Sequence, residues 1–114
     1  MQPYCCILGA EGEAVNETDA VFRALSDETR RLIIDELRAT DGQTLFSLVV
    51  ALIQKHGRSI SRQAISKHLA MLEEAGIVKT EWLGRTKLHH LDLAPIRRVR
   101  ADWLDRLTKD GEGR

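Results

Sequence analysis

The side chains best suited to chemistry stand close together, in the run SRQAISKH from Ser61 to His68. Wound at 3.6 residues per turn, Gln63, Ser66, Lys67 and Ala70 gather on one side of a helix, and Ile65, Leu69 and Leu72 on the other. The outer side then carries amide, hydroxyl and cationic groups. An amide such as Gln63 pairs bidentately with an adenine edge, with Ser66 and Arg62 flanking it, and cations meet phosphate oxygens. Arg62 and Lys67 come early and Glu73 and Glu74 late. Negative charge in the last turn opposes the helix dipole, so local stability does not explain this order. A helix entering a DNA groove N-terminus first does.

The remaining reactive residues form no catalytic set. The chain lacks H-E-x-x-H, G-x-S-x-G, a glycine-rich phosphate loop and C-x-x-C, so no enzyme activity and no cofactor is expected. Cys5 and Cys6 are adjacent. They form no disulfide framework, and without a third cysteine they read as two ordinary thiols before a soft-metal site. His89 and His90 are neighbours on an expected strand and therefore point to opposite faces, which a shared metal ion does not suit. His68 flanks the apolar stripe, where it either packs or caps, or contacts phosphate. Arg30 and Arg31 open another helix, where Arg30 either pairs with nearby acids or touches phosphate at the edge of a DNA site.

Charge is distributed to the same end. The 114 residues carry no net charge, yet residues 1–54 hold four basic and nine acidic side chains, and residues 55–90 seven basic and three acidic. The basic block covers the candidate groove helix and the stretch directly behind it. The longest apolar stretch, Leu45 to Ile53, contains Ser47 and is too short to span a bilayer, and Tyr4 to Leu8 is too short for a signal peptide. A single cytoplasmic domain is expected.

The elements that must position these residues are set by periodicity and punctuation. Residues 1–16 are poorly patterned, an extension that is disordered or lies at a subunit interface. A short helix from Glu17 carries Val21, Phe22 and Leu25 on one face. Ser26 or Asp27 caps a second, DETRRLIIDELRA, striped by Leu32, Ile33, Glu36 and Leu37. Thr44 to His56 reads as a third, almost wholly apolar and hence a core element. Gly57, Arg58, Ser59 and Ile60 turn it into the helix capped by Ser61, which ends at Gly76. A helical hairpin with a polar second helix is the helix-turn-helix arrangement. IVKTEWL, Gly84-Arg85 and TKLHHLDL then form a basic hairpin bearing Lys79, Arg85 and Lys87. Trp82, Leu83 and Leu88 do not share a side under a two-residue turn, so a bulge or longer loop is expected. Pro95 opens a last helix, with Ile96, Val99, Trp103, Leu104 and Leu107 as an apolar stripe suited to a twofold interface. The domain is expected over residues 17–107, with a fraying tail at 108–114.

Together LSDETRRLIIDEL, SRQAISKHLAMLEEAGIV and GRTKLHHL resemble the ArsR/SmtB-type transcriptional regulators over about residues 21–107. The resemblance implies a mainly α fold with a small β-hairpin, a dimeric winged helix-turn-helix, binding a palindromic double-stranded operator and usually repressing. It places Ser61, Arg62, Gln63, Ser66, Lys67, His68, Arg85 and Lys87 at DNA, and Arg58 and Ser59 in the turn before them are expected there too. It places Val21, Phe22, Leu25, Ile96, Val99, Trp103, Leu104 and Leu107 at the homodimer interface. Metal-sensing members of the family carry Cys-x-Cys on the third helix, where this chain has Phe46 and Leu48. Others place Asp, His and Glu ligands on the last helix, and APIRRVRADWLDRL has no histidine. The chain thus resembles the branch without the usual metal site, its effector open. The alternatives are a winged-helix protein-interaction module and a thiol- or metal-responsive repressor using Cys5 and Cys6.

Overall fold

The computed structural model describes residues 16–112. Cys5, Cys6 and the expected N-terminal extension up to residue 15 lie outside the described residues.

Four helices come first: α1 (Glu17–Leu25), α2 (Glu28–Ala39), α3 (Leu45–His56) and α4 (Arg62–Glu74). Each begins at a side-chain cap. Asn16, Asp27, Thr44 and Ser61 accept from the backbone N–H three residues on, which satisfies a donor the helix cannot. The end of α4 is closed by Gly76 at φ 77, with Gly76 N–H donating to Glu73 O and Ile77 N–H to Leu72 O. This is the Schellman arrangement, and its hydrophobic contact is present as well, since Leu72 and Ile77 are both fully buried. Ile33, Leu37, Leu48, Leu52, Ile65, Leu72 and Ile77 make the centre of the core, one or two from each of α2, α3, α4 and the start of the hairpin.

The third helix is not the fully buried element its composition suggests. Leu48, Ala51 and Leu52 are buried, while Phe46 and Ile53 are exposed. Helices α2 and α4 and the hairpin pack against α3, and among the described residues these contacts leave Phe46 and Ile53 uncovered.

Strands β1 (Val78–Leu83) and β2 (Thr86–Leu91) pair antiparallel in unbroken register from Val78 opposite Leu91 to Leu83 opposite Thr86. No bulge interrupts them, contrary to expectation. Gly84 has φ 66 and Arg85 has negative φ, the pattern of a two-residue II′ turn. A bulge would be needed only to bring Trp82 and Leu83 to one side, and both are exposed on opposite faces, so the regular ladder suffices. On its other edge β2 pairs with Gln43 through His89, tying the start of α3 to the hairpin.

The last helix starts as α5 (Ala94–Val99), widens into a π-helical turn over Arg100–Leu104 and continues as α6 (Asp105–Glu112). Helical backbone therefore runs beyond residue 108, where the sequence suggested a tail. Arg98 Nε donates to Glu17 Oε1 at 2.9 Å, joining this helix to α1.

Candidate nucleic-acid interface

The cap at Ser61 and the stripe Ile65, Leu69, Leu72 fix which way α4 faces: the stripe is buried, so Arg62, Gln63, Ser66, Lys67 and Ala70 are exposed. Ser61 Oγ accepts from Ala64 N–H at 3.1 Å, and its own proton stays available for an outside acceptor. Among the described residues, Arg62, Gln63, Ser66, Lys67 and Arg85 make no side-chain hydrogen bond or ion pair. A row of partner-free polar groups along one helix face is arranged for a ligand outside the chain.

Beside it, the starts of α3 and α4 and the hairpin enclose a groove of about 370 Å3 whose charged lining is Arg62, Arg85 and Lys87. Thr44, Ser66 and Thr86 add hydroxyls, and no carboxylate lines it. Despite its zero net charge the chain thus presents a cationic groove, and acids among the described residues are held elsewhere. Glu36 is one: burial pushes its carboxyl up, but hydrogen bonds from His56 (3.0 Å) and Lys55 (3.3 Å) bring it below the ordinary range.

Two of the residues expected at DNA have other duties. Arg58 donates to Glu28 Oε1 at 3.1 Å and Thr29 Oγ1 at 2.9 Å, pinning the turn before α4 onto α2. His68 turns inward: its Nδ1 stands 3.0 Å from Arg30 Nη1 and its Nε2 3.9 Å from Asp27. His68 is thus packed against Arg30, with 21% of its side chain exposed. Burial first, and then the Arg30 charge against the opposing pull of Asp27, holds its imidazole below its usual value, so the neutral ring accepts from Arg30.

Arg30 itself is 8% exposed, and among the described residues its side chain pairs with no acid. It donates through Nε to Ala24 O at 2.8 Å and through Nη2 to Arg23 O at 3.0 Å, capping the carbonyl end of α1. Sequence reasoning missed this link from α1 through Arg30 to the groove helix. The available signal was spacing, since an arginine in the first turn of α2 sits directly across the short Ser26-Asp27 connection from the last turn of α1.

Comparison with known proteins agrees with this geometry. No family model matches the chain. It is 42% identical over 87 residues to YuzN of Bacillus subtilis (strain 168), described as an uncharacterized HTH-type transcriptional regulator, spanning 76% of this chain and 95% of that one. An ArsR-like transcriptional regulator from Rhodococcus sp. RHA1 superposes with TM-score 0.66 at 36% identity, over 84% of this chain and 83% of the other. The chain belongs to the ArsR family of DNA-binding transcriptional regulators. A second ArsR family regulator of known crystal structure matches with TM-score 0.70 at 26% identity, over 86% of this chain and 93% of its own.

In this ArsR-family regulator the residues expected at a dimer interface divide in two. Val21 and Val99 are buried within the chain's own core, and Leu25 and Ile96 are half-buried against it. Phe22, Trp103, Leu104 and Leu107 stay exposed on α1 and the last helix, with Phe22 and Trp103 edge to face at 5.8 Å. The first group thus belongs to the chain's own interior, and the second forms an exposed apolar patch. Among the described residues no three His, Cys, Asp or Glu side chains group as a metal site, and no helix is long and apolar enough to cross a membrane.

Proposed function

We propose that the regulator binds a palindromic duplex operator as a homodimer and represses transcription there. In each half-site α4 enters the major groove N-terminus first, with Gln63 reading a base edge between Arg62 and Ser66, and Lys67 and Ser61 meeting phosphate. The hairpin tip lies along the backbone, where Arg85 and Lys87 neutralise phosphates without reading sequence. Dimerisation uses the exposed patch of Phe22, Trp103, Leu104 and Leu107. The observation that carries this reading is the partner-free polar face of α4 beside a cationic groove without a carboxylate.

The test begins with selecting bound DNA from a randomised duplex pool, then titrates variants against the selected and scrambled sequences at several salt concentrations. Gln63→Ala should cost about 1–3 kcal/mol on the selected sequence and relax preference at particular base pairs. Arg85→Ala should weaken all sequences alike and flatten the salt dependence by roughly one unit per contact. If Arg85→Ala alters base preference and Gln63→Ala does not, the hairpin is the reader and the assignment of α4 fails.

A further inference from the structure

Two aromatic side chains serve neither the polar face of α4 nor the dimer patch. Trp82 is 64% exposed and Phe46 65%, and neither belongs to the Phe22 and Trp103 cluster. Leaving such rings in water forfeits burial free energy, and both border the same groove as Arg62, Arg85 and Lys87.

The hairpin register explains how Trp82 arrives there. Cross-strand partners share a face, so Trp82 and Lys87 lie on the face that carries Val78, Leu91, Thr80 and His89. Val78 and His89 are buried, which makes this the inner face. Trp82 continues it past the last point where the helices cover it, and so stands as a wall of the groove. Lys87 Nζ sits 6.0 Å from the centre of its ring, on the edge of cation–π range. Phe46, in the first turn of α3, borders the groove from the other side.

Apolar walls with three cations and no acid suit a ligand that alternates apolar and anionic units. A deoxyribose-phosphate strand does so at every nucleotide. A protein segment would need to supply carboxylates at matching spacing as well as apolar anchors.

We propose that one DNA strand runs through this groove with Trp82 and Phe46 packed on its deoxyriboses, while Arg62, Arg85 and Lys87 take the phosphates on either side. This rests on the duplex-binding reading above. It assigns the two rings a share of the affinity that carries no charge and no base preference.

Tryptophan emission tests the contact directly. Wild type and Trp82→Phe are titrated with the selected duplex; Trp103 is common to both, so the difference between them reports Trp82. The expected result is a DNA-dependent change in emission and protection from acrylamide quenching in wild type that is absent from Trp82→Phe. Trp82→Ala should bind selected and scrambled duplexes about tenfold more weakly with an unchanged salt slope, because area is lost and charge is not. Phe46→Ala should behave likewise, and circular dichroism checks that both exposed-site variants keep the fold.

If wild type binds duplex but the two proteins respond identically, or Trp82→Ala binds within about twofold of wild type, the strand does not touch Trp82, and the proposal fails while the DNA reading stands. A salt slope flattened by about one unit in Trp82→Ala would also overturn it, since the ring would then act by placing Lys87. Absence of duplex binding by wild type at low salt removes both readings and leaves the groove to an acidic protein partner.

Discussion

Replacing Arg30 by methionine, close in length and without donors, tests the link between α1 and the groove helix. In the native chain the Arg30 guanidinium serves Ala24 O, Arg23 O and the His68 ring. Hydrogen bonds to a charged group contribute about 1.5–3 kcal/mol each, but part of the loss is recovered as water reaches the half-exposed end of α1 and as the buried charge itself disappears. A net loss of about 2–3 kcal/mol is expected from these opposing contributions. Urea unfolding at fixed protein concentration measures it as a lowered midpoint at unchanged slope, which keeps any subunit association constant between variants. Because His68 loses its anchor on the groove helix, affinity for the selected duplex should fall as well. A double-mutant cycle with His68→Ala isolates the pair, and about 1 kcal/mol of coupling is expected. Arg30→Met within about 0.5 kcal/mol of wild type, or strict additivity with His68→Ala, would refute the reasoning.

Gly76→Ala forces a side chain into the left-handed conformation at φ 77 with its Cβ 3.4 Å from Pro95, and should cost about 1–2 kcal/mol in thermal or urea unfolding. His90 is raised above its usual value of 6.5 by hydrogen bonds to Asp41 and then Glu81. Its contribution is therefore fully present below pH 6.5 and is lost as pH rises through the raised value, so the stability gap between wild type and His90→Gln should shrink with rising pH in unfolding series. Converting Trp103 and Leu104 together to charged residues should give monomers by sedimentation, with operator affinity falling as the two half-sites uncouple; an unchanged dimer would remove the assigned patch.

The parts of the molecule that periodicity governs were legible in the sequence. Ser61, the Ile65, Leu69, Leu72 stripe and Gly76 bound α4 and orient it, because a cap, a 3.6-residue repeat and a left-handed glycine each act locally. Whatever depends on the neighbours was not. The apolar run of α3 says that it packs, but only the number of surrounding helices determines that Phe46 and Ile53 stay out. Trp82 and Leu83, adjacent on a strand, cannot share a side, and treating both as buried implies a bulge the chain does not need. Arg30 and His68, 38 residues apart, carry no mutual signal in the sequence, and their meeting depends on how α2 crosses α4.

The π-helical turn at Arg100–Leu104 bears on how this protein tolerates change. An added residue in one turn rotates everything after it by roughly 100° relative to a continuous α-helix. Upstream of it Val99 faces the chain's own core, and downstream Trp103, Leu104 and Leu107 face outward beside Phe22. The turn thus works as a gear between two packing surfaces that one straight stripe would have to share. Deletion of one residue ahead of Trp103 would let this turn close into a continuous α-helix, with Leu107 kept near its present bearing relative to Val99. At this end of the molecule the wide turn can thus absorb the loss of one residue and leave the exposed patch on its present side, a tolerance that a continuous α-helix lacks.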